Sequence, residues 1–529
     1  MVLLHALQKT RRAVWPEAAD PVERRMVYKA DLLILSYLCL QYCINFLNAY
    51  VSGMREALKM EGRQYNNVIT CFTVGTAVGQ IPQNLLLTVL PPRYLFPLNG
   101  VIWGILTGLT ACATKASHLY VIKFFQGIAE SSTFNGAHYI LGAWYLPHEI
   151  GKRAAIFSMS AQVASLFSGS MMAEIYRSMK GMHGLDGWQW LFVICAIITI
   201  PTAILGLFVF PDTPTTTRSR LFTPEERAIA ISRLPKKSNT KVDWTLFKRV
   251  FGRWHFWTLG VTWIAGGALE SYGAWGLMGL WMKAQRVASP LDPTKLVPRF
   301  TVRQINYHPL GLMAVAIASL LVTAAVSDHF PHRRYFTNLL IAACAVVYGI
   351  IPLVGAKLGA GQATGVIKTP GWYFSFYLSG ISYAGQMSNF TWANELAVHD
   401  DQERAVLIAS INVIATAFAA WFQPLFFAAS DAPHFTRGFS LVLAFAPIYV
   451  LSTLLTHYLQ VRDQRRAKLA GEDDDVQGVP ALARLPKDEG EGDEEYSGAE
   501  STVSKVTGAE TPMGLSAGLL SLAGEGEKR

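Results

Sequence analysis

The sequence predicts an all-α, polytopic membrane protein that crosses the bilayer twelve times, in two halves of six helices each. Hydrophobic residues make up 51% of the chain and charged residues only 16%, and the mean hydropathy is +0.26. Apolar blocks of about 20 residues, the length that spans a bilayer, recur along most of the chain. One long polar and basic break divides these blocks into two sets of six.

Each apolar block is predicted to be a helix, because a single segment can satisfy its own backbone hydrogen bonds in hydrocarbon only in that form. The predicted spans of the first half cover residues 31–49, 66–89, 94–113, 118–145, 153–176 and 187–210. Those of the second half cover residues 255–281, 309–327, 335–355, 371–397, 404–429 and 436–459. The two halves are therefore predicted at 31–210 and 255–460.

Three polar segments flank and separate the halves: residues 1–30, 211–254 and 461–529. In the middle segment, Thr223 followed by Glu226 indicates a capped surface helix. Lys and Arg are more abundant in the segments that would lie inside if the amino terminus is cytoplasmic, so the positive-inside rule places both termini in the cytoplasm. The last segment is acidic and poor in large apolar residues, and we expect it to be disordered.

The composition excludes several classes of function. Basic residues lie between the apolar blocks and not in an aromatic-interleaved patch, so the net charge of +9 reflects membrane topology and not nucleic-acid binding. The six cysteines show no metal-ligand spacing, and the sequence contains no nucleophile elbow or phosphate loop. We therefore expect no metal, no cofactor and no enzymatic activity.

The fourth predicted span carries a lysine and a glutamate inside its apolar run. Lys123 and Glu130 are nearly two helical turns apart, so both side chains lie on one face, with Glu130 near the bilayer midplane. An ionisable side chain at this depth costs about 3 kcal/mol and is rarely kept without a role. We expect Lys123 to attract a substrate carboxylate and Glu130 to carry the coupling proton, because an arriving anion would compete for the lysine. The alternative is a static ion pair that holds the helices together.

Polar residues in other spans extend the candidate site. Glu270 in the seventh span is the second candidate for proton coupling, with a structural role as the alternative. Amides and phenols orient small polar ligands through a few hydrogen bonds. Besides Lys123, the candidate substrate contacts are Asn45, Asn48, His138, Tyr383, Gln386 and Asn389. For His138 the favoured alternative is a packing role. Glu395, near the inner end of the tenth span, is expected to pair with Arg404.

Several strings resemble those of a known transporter family. FPDTP at Phe210 is similar to the signature of the fungal allantoate permease family, the fungal branch of the anion:cation symporters in the major facilitator superfamily. Strings similar to its pantothenate and biotin transporters are NAYVSGM at Asn48, GQIPQNLLL at Gly79, HYILGAWY at His138, FKRVFGRWHFW at Phe247, SYAGQMSNFTWANE at Ser382 and DDQERAVLIAS at Asp400. The resemblance covers residues 28–460.

The resemblance implies the major facilitator fold and a proton-coupled importer of a small organic anion. It further implies a plasma-membrane protein that works as a monomer, with pantothenate as the first candidate substrate and biotin, allantoate or another carboxylate as alternatives. Relatives often carry an acid in the first span where this chain has Tyr42. The wider symporter family usually has arginine at the position of Lys123, again followed seven residues later by glutamate. A transport-dead nutrient sensor and a proton-driven exporter are the remaining alternatives.

The resemblance also implies a gate at the cytoplasmic side. The loop between the second and third spans lacks the charged gating string of the superfamily, whereas the loop between the eighth and ninth spans keeps Asp328, Arg333 and Arg334. We expect these three residues to form the gate. The alternative is that the two arginines only anchor the loop at the membrane surface.

Overall fold

The computed structural model of the chain describes residues 20–46, 54, 58, 60, 64–179, 181–234, 245–272, 275–288, 296–329, 334–358, 369–398, 400–427 and 431–469. Across these ranges the chain is mainly helical, and the all-α fold class is confirmed. A single pair of short strands is the exception within the same ranges.

The six predicted spans of the first half are helices in the structure. The first runs through Pro21–Ala30, a π-helical turn Asp31–Leu35, and Ser36–Phe46. The other five are Gln64–Val89, Pro92–Ala111, Ala116–Trp144, Pro147–Met179 and Gly187–Val209. The first helix begins before the predicted boundary at residue 31. It starts there because the Asp20 carboxylate accepts a hydrogen bond of 2.9 Å from the backbone N–H of Val22.

The predicted spans of the second half are also present. Four are single helices, Leu310–His329, Tyr335–Leu358, Asp401–Phe426 and Thr436–Leu469. The seventh span consists of Trp254–Tyr272 and Trp275–Ala284, and the tenth of Thr369–Ser379 and Ala384–Leu396 joined by the 3-10 turn Gly380–Tyr383. The twelfth helix continues past the predicted boundary at residue 459, because the polar residues that follow are good helix formers.

The segment between the halves contains the predicted capped helix, Pro224–Ser232. The backbone N–H of Glu226 donates to Thr223 Oγ1 at 3.2 Å, and the backbone N–H of Thr223 donates to the Glu226 carboxylate at 2.8 Å. The sequence analysis did not predict the helices Thr245–Gly252 and Val302–Tyr307 or the antiparallel strands Arg286–Ala288 and Leu296–Pro298. These elements are too short for their periodicity to stand out.

Six helices of the described residues are long and apolar enough to cross a membrane by length and composition alone: Pro21–Asn45, Pro92–Ala111, Gly187–Val209, Tyr335–Gly355, Asp401–Phe422 and Thr436–Arg466. The other predicted spans are shorter or more polar. In the fourth span, for example, Lys123 and Glu130 lower the hydropathy of an otherwise apolar helix. In the fourth span, the polar residues that weaken the membrane signal thus include two residues of the candidate site.

Glycines bring two helices of the first half into backbone contact. A Cβ atom on Gly75 would lie 2.1 Å from the carbonyl oxygen of Phe124, and one on Gly127 would lie 2.3 Å from the carbonyl oxygen of Phe72. The second and fourth spans approach this closely only because both positions lack a side chain.

The two halves meet along two pairs of helices, the second span with the eleventh and the fifth with the eighth. We call the end of the helices where residues 211–254 connect the halves the linker end. The helix Pro224–Ser232 is attached there to the first half. Lys29 forms an ion pair of 2.8 Å with Glu226, and Arg233 forms one of 3.0 Å with Glu149.

The FPDTP string has a structural role at the linker end. Asp212 Oδ1 accepts a hydrogen bond of 3.1 Å from the backbone N–H of Arg93 at the start of the third span. The carbonyl oxygen of Asp212 accepts one of 3.0 Å from the indole of Trp144 at the end of the fourth span. The string therefore ties the ends of the third, fourth and sixth spans together.

Candidate substrate and proton site

The fourth span places several candidate residues along one helix face. Lys123, Glu130, Phe134, His138 and Gly142 follow one another at intervals of seven and four residues. Side chains at this spacing form a line along a helix. This face is directed toward the second half, because Phe134 and His138 both contact Phe390 of the tenth span, with ring centres 4.9 and 4.7 Å apart.

The ammonium group of Lys123 is held away from Glu130. Its Nζ atom donates a hydrogen bond of 2.7 Å to Gln126 Oε1 and lies 5.4 Å from the centre of the Phe192 ring. Among the side chains that the structure describes, no carboxylate forms an ion pair with Lys123. The static lysine–glutamate pair considered above is therefore not formed in this conformation.

The carboxylate of Glu130 is held by uncharged donors from two other helices. Trp103 of the third span donates from Nε1 to Oε2 at 3.2 Å. The amide of Asn45 in the first span is the second hydrogen-bonding partner. Indole and amide donors fix the carboxylate in place and leave its charge unneutralised. The Glu130 side chain is half-buried.

Glu270 has a comparable environment on the second half. Gln386 of the tenth span donates from Nε2 to Glu270 Oε1 at 2.7 Å. The hydroxyl groups of Tyr383 and Tyr449 lie within electrostatic range of the same carboxylate. Glu270 is half-buried, and no ion pair joins it to a cation among the described side chains. Glu130 and Glu270 therefore have similar surroundings: each is a half-buried carboxylate that accepts a hydrogen bond from a side-chain amide.

Tyr42 of the first span connects these two environments. Its hydroxyl lies within electrostatic range of Glu130, Glu270 and Tyr383. The structure thus brings together residues from both halves that are far apart in the sequence. We call this group the polar cluster: Tyr42, Asn45, Glu130, Glu270, Tyr383 and Gln386. The polar cluster contains both predicted proton sites and three of the predicted substrate contacts, Asn45, Tyr383 and Gln386. A fourth predicted contact, Lys123, lies beside it.

Two predicted substrate contacts are placed elsewhere by the structure. Asn389 is 1% exposed and lies inside the second half, where Asn338 Nδ2 donates to its Oδ1 at 2.9 Å and its own Nδ2 donates to Tyr449 at 3.5 Å. His138 is fully buried, and its two ring nitrogens have no hydrogen-bond partner among the described residues. Neither side chain belongs to the polar cluster.

His138 is part of an aromatic layer between the halves. The aromatic plug, as we call it, consists of Phe134, His138, Phe157, Trp263 and Phe390. Phe390 stacks on His138 and meets Trp263 edge to face, with ring centres 4.7 and 4.9 Å apart. Tyr42 stacks on Phe157 at 4.6 Å, so the plug lies directly against the polar cluster. The packing role favoured for His138 agrees with this arrangement.

Beyond the plug, direct contacts close the linker end. Arg404 of the eleventh span donates to the carbonyl oxygen of Gly142 at 2.8 Å, and Asn84 of the second span donates to the carbonyl oxygen of Ala405 at 3.1 Å. A Cβ atom on Gly142 would lie 2.0 Å from Asn394 Oδ1. We call this group the linker-end gate. The sequence analysis did not single it out, although Gly142 and Arg404 lie in two of the quoted family strings.

The predicted gate is described only in part. Arg334 is buried and pairs with Glu395, with Nε donating to Oε1 at 2.6 Å. The expected pairing of Glu395 with Arg404 is therefore wrong, because Arg334 occupies Glu395 while Arg404 pairs with Asp401 at 2.5 Å. The other predicted residues, Asn48, Arg333 and the Asp328 side chain, lie outside the described residues.

The chemistry available at the site is proton binding and hydrogen bonding. No group of His, Cys, Asp and Glu residues among the described side chains has the arrangement of a metal site. Two accessible carboxylates can each take up a proton, and the amides and phenols around them can donate or accept hydrogen bonds. Lys123 adds one cation that forms no ion pair with a carboxylate among the described side chains. The arrangement suits an anion with additional polar groups.

Comparison with known proteins places this chain in context. The Major Facilitator Superfamily profile matches residues 33–424. The pantothenate transporter liz1 of Schizosaccharomyces pombe is 34% identical over 478 residues, which cover 88% of this chain and 87% of the relative. The pantothenate transporter FEN2 of Saccharomyces cerevisiae is 35% identical over 481 residues, covering 85% of this chain and 89% of the relative.

Solved structures show the same fold. The proton:xylose symporter XylE, of the major facilitator superfamily, superposes with a TM-score of 0.58 and covers 81% of this chain and 95% of its own. Its sequence identity to this chain is 14%, so the likeness concerns the fold alone.

Proposed function

This chain belongs to the Major Facilitator Superfamily, within its pantothenate and biotin transporter subgroup, and we propose on that basis that it imports pantothenate together with protons. It is a multi-pass membrane protein and not an enzyme. Pantothenate carries one carboxylate, an amide and two hydroxyl groups. Biotin, allantoate and other small carboxylates are the alternative substrates.

One observation carries the proposal: an accessible acid on each half, with a cation beside one of them that no described carboxylate neutralises. In this proposal Lys123 binds the substrate carboxylate. Glu130 then takes up a proton more readily, because the cation that favoured its charged form is occupied. Glu270 is the second proton site. A substrate and a proton thus cross together, since each favours the binding of the other.

The remaining polar groups are proposed to orient the substrate. Asn45, Tyr383 and Gln386 surround the two acids and present amide and phenol groups that match the amide and hydroxyls of pantothenate. Ligand sites near the midplane, between the two halves, are typical of transporters that alternate their access between the two sides of the membrane. His138, Asn48 and Asn389 remain untested predictions for the same role.

We propose that the linker end is cytoplasmic, that both termini lie in the cytoplasm and that the protein works as a monomer in the plasma membrane. Basic residues that include Lys29, Arg153, Arg233 and Arg404 lie at the linker end, which supports this orientation. In this orientation the linker-end gate closes the cytoplasmic side, assisted by Arg334 and the neighbouring residues Asp328 and Arg333. The polar cluster is then accessible only from outside.

The proposal is tested in a fungal strain that can neither make nor import pantothenate. Expression of the protein should restore growth on low pantothenate and uptake of labelled pantothenate that increases at acidic external pH. Parallel strains that depend on imported biotin or allantoate identify an alternative substrate by their rescue. Glu130→Gln, expressed at the same level, is the matched variant that should fail. If the protein reaches the cell surface and rescues none of the strains, the transport proposal is wrong and the sensor alternative gains support.

A further inference from the structure

Lys123 and Glu130 are connected by a chain of hydrogen bonds through three residues that the sequence analysis did not single out. Lys123 donates to Gln126 Oε1 at 2.7 Å, and Gln126 Nε2 donates to Thr107 Oγ1 at 2.8 Å. Thr107 Oγ1 donates in turn to the carbonyl oxygen of Trp103 at 2.8 Å. The indole of Trp103 donates to Glu130, which completes the connection.

Gln126, the member of this chain next to Lys123, is hydrogen-bonded at both ends of its amide. Gln126 is 1% exposed, and both ends of its amide are hydrogen-bonded, the oxygen to Lys123 and the nitrogen to Thr107. A buried amide with both ends occupied has one orientation, since rotation would leave a buried donor and acceptor without partners. The acceptor that faces Lys123 is therefore fixed in position.

This fixed acceptor matters because Lys123 could instead form an ion pair with Glu130. The two residues are about 10 Å apart along the helix, and a lysine and a glutamate on one face can close that distance with their side chains. An ion pair would be favourable away from bulk water. In the structure the ammonium instead donates to Gln126, and this is its one hydrogen bond to the described residues, which leaves two of its three N–H donors for a ligand.

We propose that Gln126 is a positioning residue that keeps Lys123 off Glu130 and holds its ammonium ready for the carboxylate of the substrate. Thr107 acts through Gln126 by fixing the amide. The inference rests on the proposed function. It adds that the separation of the two charges is built by the third and fourth spans, and not left to the substrate.

Loss of Gln126 should change both binding and pH dependence. Without its acceptor, Lys123 turns to Glu130, so the substrate must break an ion pair to bind and Glu130 is harder to protonate. The other titratable groups that face these two residues are Tyr42 from the first span and Cys195 from the sixth. Glu270 lies farther away, on the other side of Tyr42, whose hydroxyl is within electrostatic range of both acids. Neither the phenol nor the thiol carries a positive charge, so neither can replace Lys123 beside Glu130.

The first test measures pantothenate uptake at several values of external pH. Gln126→Leu should raise KM about tenfold, the effect of losing a hydrogen bond to a charged group, and should shift the acid-stimulated limb to lower pH. Thr107→Val should act in the same direction. Thr110→Val is the matched control, because the Thr110 hydroxyl likewise donates to a carbonyl oxygen of its own helix, that of Leu106, but is not hydrogen-bonded to Gln126. Lys123→Ala should raise KM by itself, and adding Gln126→Leu to it should have no further effect.

A second test needs no substrate. The thermal midpoint of the purified protein is followed against pH in the wild type and in Gln126→Leu, each with and without Glu130→Gln. The proposal expects a pH-dependent difference between wild type and Gln126→Leu that disappears in the Glu130→Gln background. A difference that persists in that background, or an additive loss with Lys123→Ala, would assign Gln126 a packing role only. If the wild type fails to take up pantothenate, the proposed function is wrong. The second test would still decide whether Gln126 keeps Lys123 off Glu130, because it measures thermal stability and not transport.

Discussion

The guanidinium of Arg404 donates a hydrogen bond of 2.8 Å to the carbonyl oxygen of Gly142, and this contact joins the eleventh span of one half to the fourth span of the other. It lies one helical turn beyond His138, so the aromatic plug and the linker-end gate form two successive layers of closure. A transporter that opens alternately to each side must break this contact once in every cycle.

Gly142→Ala should weaken the linker-end gate, because the added Cβ would lie 2.0 Å from Asn394 Oδ1. We expect the conformation open at the linker end to become more populated and net uptake to fall about tenfold. Amide hydrogen exchange measured by mass spectrometry at residues 139–144 and 401–405 should become faster.

Two controls accompany Gly142→Ala. Gly108→Ala places a Cβ at an ordinary 3.4 Å from Ala196 and should leave exchange unchanged. Adding Asn394→Ala to Gly142→Ala removes the clashing oxygen and should slow exchange again. Wild-type exchange in Gly142→Ala alone would mean that this contact does not hold the end closed.

Glu130→Gln should abolish uptake driven by the proton gradient, because an amide cannot alternate between charged and neutral forms. The amide oxygen can still accept the hydrogen bond from Trp103, so the site should keep its shape. Exchange of labelled for unlabelled substrate should therefore survive, since this exchange needs no change in protonation.

Measuring uptake at several values of external pH shows which of the two acids, Glu130 or Glu270, carries the coupling proton. Glu225→Gln, on the exposed surface of the helix Pro224–Ser232, is the control and should behave as wild type. If Glu130→Gln kept an intact acid-stimulated profile, the coupling proton would belong to another site, and Glu270→Gln would be measured next.

Gln386 and Asn389 should respond differently to truncation, although they are three residues apart on the same helix. Gln386→Ala removes the donor to Glu270 in the polar cluster and should raise KM without lowering the amount of folded protein. Asn389→Ala removes the 2.9 Å acceptor of Asn338 inside the second half, leaves it Thr453 Oγ1 at 3.4 Å, and should cost about 1 kcal/mol of stability. Uptake kinetics and the thermal midpoint of both purified variants check the contrast. A changed substrate ranking in Asn389→Ala with unchanged stability would return Asn389 to the substrate site.

The attachment of the helix Pro224–Ser232 should depend on pH only in acid. Burial alone would raise the pKa of Glu226, but the hydrogen bonds from Lys29 and from the backbone of Thr223, with the charges of Lys29 and Arg25, lower this pKa below its usual value. A lowered pKa means that the stabilisation is complete above the unfolded value of about 4.3 and is lost as the pH falls through the folded value.

Glu226→Gln should therefore reduce the apparent thermal midpoint at pH 7, and wild type and variant should converge as the pH falls below about 4. Glu225→Gln is again the control, because Glu225 lies in the same helical turn and is exposed. A difference between wild type and Glu226→Gln that stayed constant over the whole pH range would mean that the charge of Glu226 contributes nothing.

Much of the molecule could be predicted because local rules decide it. The length of the apolar blocks sets the spans, the capping pair Thr223 and Glu226 sets a helix start, and the spacing of Lys123 and Glu130 sets a shared face. Each of these follows from the geometry of one helix. The 3-10 turn Gly380–Tyr383 in the tenth span was not predicted, because helix periodicity continues through it.

The sequence by itself determined the class of protein, the family and the two acids at bilayer depth. Only the tertiary structure decided which polar residues meet. It joined Tyr42, Glu130 and Glu270 in one cluster, placed Asn389 in an internal network, and made Gln126 the hydrogen-bond acceptor of Lys123. The physical reason is that a helix fixes the direction of a side chain, whereas the partner it finds depends on the rotation and distance of neighbouring helices, which packing of the whole chain sets.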